Sequence, residues 1–377
     1  MLNWIISIFI FCLVLFIYLH IYFHLKTSND LEIYEIDDVS KEKFEELCDI
    51  RQPILFTFEN EKLLEYTSYD YIYNQYGSFD IQIRESAHKK KSNNDKKNND
   101  IKESDKKDSN KNTDVDVYVP LSLNLANKLF IEDDSETYYS ANNSDFIKET
   151  GVIKSFQYND EFLRPYMLCN TQYDIMSGSD NTVTPFKYEL NYRNFFLVTQ
   201  GSIEIKMTPP KSRKYLHPVK DYELFEFKSP INPWNVSPEY KADFDKIKCL
   251  EFTVTKGKAL YIPAYWWYSI KFKKNACISC FKYRTYMNCG AIIPELTLYG
   301  LQMQNIKRNT VKINKKQKVR FDDNIVSSDH DEIIINDVND ANDTNNTNDT
   351  TNKIEQINPE TNQIQFTTNI NDLITTI

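Results

Sequence analysis

The chain opens with an almost unbroken apolar run from Leu2 to Leu25, LNWIISIFIFCLVLFIYLHIYFHL, after which the hydrophobic pattern changes abruptly. As a helix rising about 1.5 Å per residue, that run is long enough to cross roughly 30 Å of hydrocarbon. Trp4, Tyr18 and Tyr22 lie near its ends, where aromatic rings favour the membrane–water boundary. A cleaved signal peptide would need a basic start and a small-residue cleavage site; bulky Tyr22, Phe23 and His24 stand where the small residues would be. The pattern therefore predicts an uncleaved, single-pass anchor over residues 2–25. Lys26 follows it and no Lys or Arg precedes it, which leans toward a cytosolic C-terminal part.

A folded domain is expected from about residue 31. Ser40 is placed to cap a short helix, Lys41 to Cys48, with Phe44 and Leu47 facing inward, and Pro53 to Phe58 reads as a buried strand. A further helix ends at Gly77, and Phe79 to Arg84 alternates apolar and polar like a half-buried strand. Residues 88–114 then lose all apolar periodicity and mix both charge signs, which predicts a disordered insertion within the domain. Order is expected to return at Val117 to Leu123. Strand-like runs follow at Phe195 to Thr199, Ser202 to Met207, Leu250 to Val254, Ala259 to Ile262, Tyr268 to Phe272 and Ala276 to Tyr283. Many short strands separated by polar turns predict an all-β barrel or sandwich. Pro294 is placed to open a last helix over 291–307 with Leu296, Tyr299, Leu301 and Ile306 as its apolar positions, and the polar stretch 308–377 is expected to be a disordered tail. Within that tail Lys318-Val319-Arg320-Phe321 matches a phosphatase-docking pattern that arises often by chance.

Composition adjusts this picture modestly. An aromatic content of 14% is ample for a β-rich core, while only 7 glycines and an abundance of Asn, Lys, Ile, Asp and Tyr suggest the coding bias of an AT-rich genome, such as that of a large DNA virus. A net charge of -9, with basic runs interleaved by Asp, argues against nucleic acid as a partner. The cysteines do not form a disulfide framework, and Cys277-Ile-Ser-Cys280, although spaced like a metal or redox pair, lies in a strand-like run where residues three apart face opposite ways.

Thr184-Pro185-Phe186-Lys187-Tyr188-Glu189, Asn194-Phe195-Phe196, Gly201, Pro209-Pro210-Lys211 and Tyr215-Leu216-His217-Pro218 form one ordered set of motifs. Gly257-Lys258-Ala259-Leu260-Tyr261-Ile262-Pro263 with Tyr265-Trp266-Trp267 forms a second. Together, over about residues 31–290, they resemble the JmjC-type cupin-like family, in particular the branch of the asparaginyl hydroxylase that acts on hypoxia-inducible factor. The resemblance implies a mainly β domain with flanking helices, a double-stranded β-helix, here preceded by a transmembrane helix. In that family Fe(II) is held by a His-x-Asp/Glu pair and a later His, with positions left open for 2-oxoglutarate and oxygen.

Carried over position by position, the iron site falls on Lys187, Glu189 and Tyr268, and only the carboxylate is retained. A protonated lysine has no lone pair, and a phenol would have to ionise to bind metal. The family's 2-oxoglutarate anchor falls on Ile203, and its cosubstrate contacts on Thr184 and Asn194, which are expected to bind backbone or water instead. Trp267 and Lys282 complete the candidate pocket. Of the Trp266–Trp267 pair, one ring is expected in the barrel core and the other at the surface. Histidine usage agrees, because His20 and His24 lie in the anchor, His88 in the insertion, His217 in a Pro-flanked loop and His330 in the tail. No cofactor or metal is therefore expected. Lys187 is expected to stand in for the metal's charge, paired with Glu189 and hydrogen-bonded by Tyr268; simple drift to core-compatible side chains is an equal alternative. The functional expectation is a membrane-anchored, non-catalytic binding or structural module with an unidentified protein partner. A divergent 2-oxoglutarate/Fe(II) hydroxylase and a barrel that captures a small anion on Lys187 remain alternatives. By family analogy the helix near Pro294 to Ile306 could support a homodimer.

Overall fold

The computed structural model describes residues 2–86 and 118–313, with side chains for residues 3–86 and 118–304. The expected insertion and the tail beyond Ile313 lie outside the described residues. One compact unit reaches Gln304; of the second, which begins at Asn305, only the end of the last helix is described.

In chain order the elements are α1 (Leu2–Leu25), β1 (Tyr34–Ile36), α2 (Lys41–Asp49), β2 (Ile54–Thr57), α3 (Glu61–Tyr66), α4 (Tyr69–Tyr76), β3 (Asp80–Glu85), β4 (Val119–Ser122), α5 (Leu123–Glu132), β5 (Tyr138–Ser140), α6 (Ser144–Glu149) and α7 (Ile153–Asn159). Then come β6 (Leu168–Gly178), β7 (Lys187–Tyr188), β8 (Arg193–Gln200), β9 (Ser202–Thr208), a 3₁₀ turn (Pro210–Tyr215), β10 (Val219–Asp221), β11 (Glu226–Lys228) and α8 (Pro238–Phe244). The domain closes with β12 (Leu250–Thr255), β13 (Lys258–Pro263), β14 (Trp267–Phe272), β15 (Cys277–Thr285), α9 (Tyr286–Ala291) and α10 (Ile293–Ile313). The last helix begins one residue before Pro294 and runs past the expected end at 307, into what the sequence suggested was tail.

Local chemistry accounts for the boundaries. The side chains of Ser40, Asn60 and Ser68 each accept a backbone N–H at the start of α2, α3 and α4, satisfying donors that a helix leaves free. Between β8 and β9 the chain reverses at Gly201, where φ is +68° and an added Cβ would lie 3.0 Å from the Ala276 backbone, so glycine is required on both counts.

Two sheets face each other. One has nine strands in the order β1-β2-β13-β8-β15-β6-β5-β3-β4, and the other six in the order β10-β11-β7-β14-β9-β12. Alternation along each strand sorts side chains into three layers. Between the sheets lie Phe196, Val198, Ile203, Ile205, Trp266, Tyr268 and their neighbours. Helices α2, α3, α4, α6 and α7 cover the outer face of the larger sheet through Phe44, Leu63, Ile72, Phe146 and Phe156. The smaller sheet's outer face carries Phe186, Tyr188, Phe227 and Trp267 under the segment that includes Leu216 and Ile231.

The connection between α1 and β1 is held down rather than loose. Asn29 accepts from the Lys211 backbone N–H at 2.9 Å and from its ammonium at 3.0 Å, and Gln52 donates to Asp30 at 3.1 Å. The end of α1 also packs on the domain, with the His24 ring 5.1 Å from that of Tyr192. The Arg51 guanidinium lies between Tyr192, at 4.5 Å, and Phe23, at 5.2 Å.

Candidate functional site

Strand β7 is only two residues long, and it sets the site. Lys187 pairs opposite Tyr268 of β14 and opposite Lys228 of β11. Tyr188 turns outward onto Trp267 and Phe227, at 4.7 and 5.2 Å between rings, so its neighbours Lys187 and Glu189 turn inward. From the opposite sheet, β15 directs Cys280 and Lys282 inward while Cys277, Phe281 and Tyr283 pack toward the helices. The two sheets therefore meet electrostatically at Glu189.

Lys187, Glu189 and Tyr268, onto which the resemblance carries the iron-ligand positions, come together as a hydrogen-bonded charge cluster. Glu189 Oε1 accepts from Lys282 Nζ at 2.9 Å and from the Tyr268 hydroxyl at 3.0 Å, with Lys187 Nζ 3.6 Å away. Glu189 Oε2 accepts from Asn191 Nδ2 at 3.1 Å, and Asn191 is fixed in turn by Arg284 Nε at 2.7 Å. Lys187 also lies 3.9 Å from Glu226, whose two oxygens accept from Arg84 Nη1 at 2.9 and 2.8 Å. Arg84 donates a further bond to the Tyr118 hydroxyl at 3.1 Å. Asp174 completes the set, accepting the backbone N–H groups of Asn142, Asn143 and Ile175. Arg84, Lys187 and Lys282 thus face Glu189, Glu226 and Asp174.

Proton affinities follow from that arrangement. Burial alone would raise the Glu189 carboxyl, but Lys282 and Lys187, aided by the hydrogen bonds from Lys282 and Tyr268, bring it down to about 2. Burial would depress the Lys282 ammonium, yet Glu189 and Asp174 hold it above its ordinary value. Glu226 is likewise lowered, because Lys187 and Arg84 outweigh its burial. Tyr268 moves the other way: burial first, and Glu189 second, keep its phenol proton on well above the ordinary range. Asp174 is raised by burial, with Lys282 opposing.

These residues do not fit a ferrous ion. An ammonium at Lys187 offers no lone pair, and Tyr268 keeps its proton while donating it to Glu189. Glu189 already has both oxygens engaged. Among the described residues no group of three His, Cys, Asp or Glu side chains is arranged to hold a metal.

Of the remaining pocket candidates, only Asn194 touches the cluster. Ile203 is fully buried between the sheets, opposite Phe272 and Val254. Thr184 Oγ1 accepts the Ile270 N–H at 2.9 Å, and Asn194 donates to the Ile262 carbonyl at 3.2 Å while its Oδ1 accepts from Asn191 Nδ2 at 3.1 Å, which ties it to the Glu189 cluster. Trp267 is not at this site. It faces outward, and it is also not at the surface, because Phe186 and Tyr188 cover it to 1% exposure; the long segment after β9 supplies a layer that strand alternation alone does not reveal. His217 is half-exposed and bonded to Asp243 at 3.0 Å, away from the cluster. Cys277 and Cys280 lie on opposite faces of β15.

Arg84, Glu226, Asp174, Asn191 and Tyr118 were missed by sequence reasoning. In β3 the apolar Ile81 and Ile83 face the helices, so the polar side of the strand, which reads as solvent-facing, is the side that carries Arg84 into the barrel.

Two facing sheets flanked by helices, with a polar cluster held between them, define a protein of the cupin type. A family model described as the cupin-like domain matches residues 40–284, and the chain belongs to that family.

Proposed function

We propose that this is a membrane-held cupin-like domain that works without catalysis, as a binding or structural module for a protein partner. The observation that carries the proposal is the saturation of Glu189 by Lys282, Lys187, Tyr268 and Asn191, which leaves the one retained ligand position occupied by the protein's own donors. The reading needs no cofactor. The membrane part rests on α1, within which residues Asn3–Leu25 form a helix long and apolar enough to span a bilayer. Resistance of the full chain to alkaline carbonate extraction, with residues 2–25 retained in the mature protein, tests that part.

The catalytic part is tested by loading the full chain, in detergent, with Fe(II) under anaerobic conditions and measuring bound iron and 2-oxoglutarate decarboxylation. Iron well below one per chain and turnover at the buffer level are expected. One iron per chain with decarboxylation would establish the divergent hydroxylase instead. A second reading is favoured by one observation: Lys187 and Lys282 keep 14% and 16% of their side-chain surface exposed, so the two lysines are not sealed from solvent. An anion at about 100 times its Kd would add about 2.7 kcal/mol of stability. A thermal-shift screen with small carboxylates reads that gain directly.

A further inference from the structure

The free part of α1 is at the short end of what spans a bilayer. Residues Asn3–Leu19 are exposed all round, whereas His20, Ile21 and His24 are covered on the side that packs on the domain. The exposed stretch rises about 25 Å, against roughly 30 Å of hydrocarbon, and any tilt shortens its reach further. A span of typical length takes in the docked turn, His20 to His24, and this brings the domain surface beside it to the bilayer boundary.

That surface has the chemistry such a position demands. Across a groove of about 570 Å³ from Leu19 and Phe23 lie Tyr166, Met167 and Met287. Tyr166, Met167 and the adjoining Tyr286 are 66%, 63% and 62% exposed, which is unusual for large apolar side chains clustered together. They form one patch, because the Tyr286 N–H donates to the Met167 carbonyl at 3.2 Å and so ties the two loops. Tyrosine at this depth places its ring in the acyl boundary and its hydroxyl among headgroups. The carboxylates of the same groove are each paired, Glu45 with Lys41 at 2.7 Å, Glu46 with Lys43 at 2.8 Å and Asp49 3.9 Å from Arg193, so the rim gives no electrostatic preference for an anionic leaflet.

We propose that Tyr166, Met167 and Tyr286 form a lipid-contacting face that sits in the headgroup layer of a zwitterionic phospholipid bilayer, beside the end of α1. The proposal rests on the reading of α1 as a membrane span. The full chain, reconstituted in phosphatidylcholine nanodiscs, would carry a photoreactive diazirine amino acid at one of four positions. These are 166 and 286 in the patch, 13 in the middle of α1, and 131, exposed on α5, which packs on β3, β4 and β5. Lipid adducts at 13, 166 and 286, and their loss at 131, are expected by mass spectrometry. Adducts at 13 with none at 166 and 286 would overturn the lipid face and leave the span intact, as would protein adducts in place of lipid at those two positions. Absence of lipid adducts at 13 would overturn both.

Discussion

Replacing Glu189 by glutamine keeps the side chain's shape and removes the charge on which Lys282, Lys187 and Tyr268 converge. Two routes give the cost. The carboxyl is lowered from 4.5 to about 2, which at about 1.4 kcal/mol per unit corresponds to roughly 3 kcal/mol. Breaking a buried ion pair typically costs about 3–5 kcal/mol, and the side chain's 15% exposure favours the lower end. A loss of roughly 3 kcal/mol lowers Tm by about 6–12 °C for a domain of this size. The assay is thermal unfolding of the full chain in detergent at pH 7, followed by circular dichroism. Glu189→Gln/Lys282→Met removes the stranded cation as well, so it should recover part of the loss and reveal a coupling of about 1–3 kcal/mol. A single-variant loss below about 1 kcal/mol, or additive single and double variants, would refute the view that the cluster is a mutually neutralising unit. The pH dependence has a definite sign. The folded-state carboxyl lies below its unfolded value, so its contribution is fully present above about pH 4.5 and disappears as pH falls toward about 2. The glutamine variant should show a flatter loss of stability over that window.

Three further outcomes are expected. Glu226→Gln removes the charge opposite Arg84, whose side chain is 2% exposed, and should lower stability by about 3 kcal/mol, less so when Arg84→Met accompanies it; equal losses in single and double variants would count against the pairing. Trp267→Ala, which empties the outer layer against Phe186 and Tyr188, should cost about 3–5 kcal/mol in denaturant unfolding, whereas a surface ring would cost almost nothing. Burial pushes the Cys277 thiol up to about 12 and Cys280 well above its ordinary value, so neither should react with a thiol reagent before unfolding; labelling of either in the native protein would show an accessible pair.

The elements were legible wherever period and caps agreed. Ser40 marks α2, the runs at Ser202 and Leu250 are strands paired with each other, and the GxxLYIP motif is β13, an interior strand of the larger sheet between β2 and β8. Part of the site lies at positions the motifs singled out, Lys187 and Glu189 around β7 and Tyr268 on β14. The rest comes from strands distant in sequence. Arg84 and Glu226 meet only because β3 and β11 lie in different sheets that face one another, and no local period encodes that approach. Trp267 failed for a related reason. Alternation gives the side of a strand but not the depth of what covers it, and the cover arrives from residues around Leu216 and Ile231.

The pinned connection after α1 has a consequence for how the protein meets other molecules. A free linker would let the domain roam a hemisphere above its attachment point. Asn29 and Asp30, bonded to Lys211 and Gln52, remove that freedom. With α1 in a bilayer, the domain then presents the same face outward at one height and turns only about the membrane normal. Encounters become a search in two dimensions, in which a partner held in the same membrane at matching height gains a concentration advantage that a freely diffusing one does not.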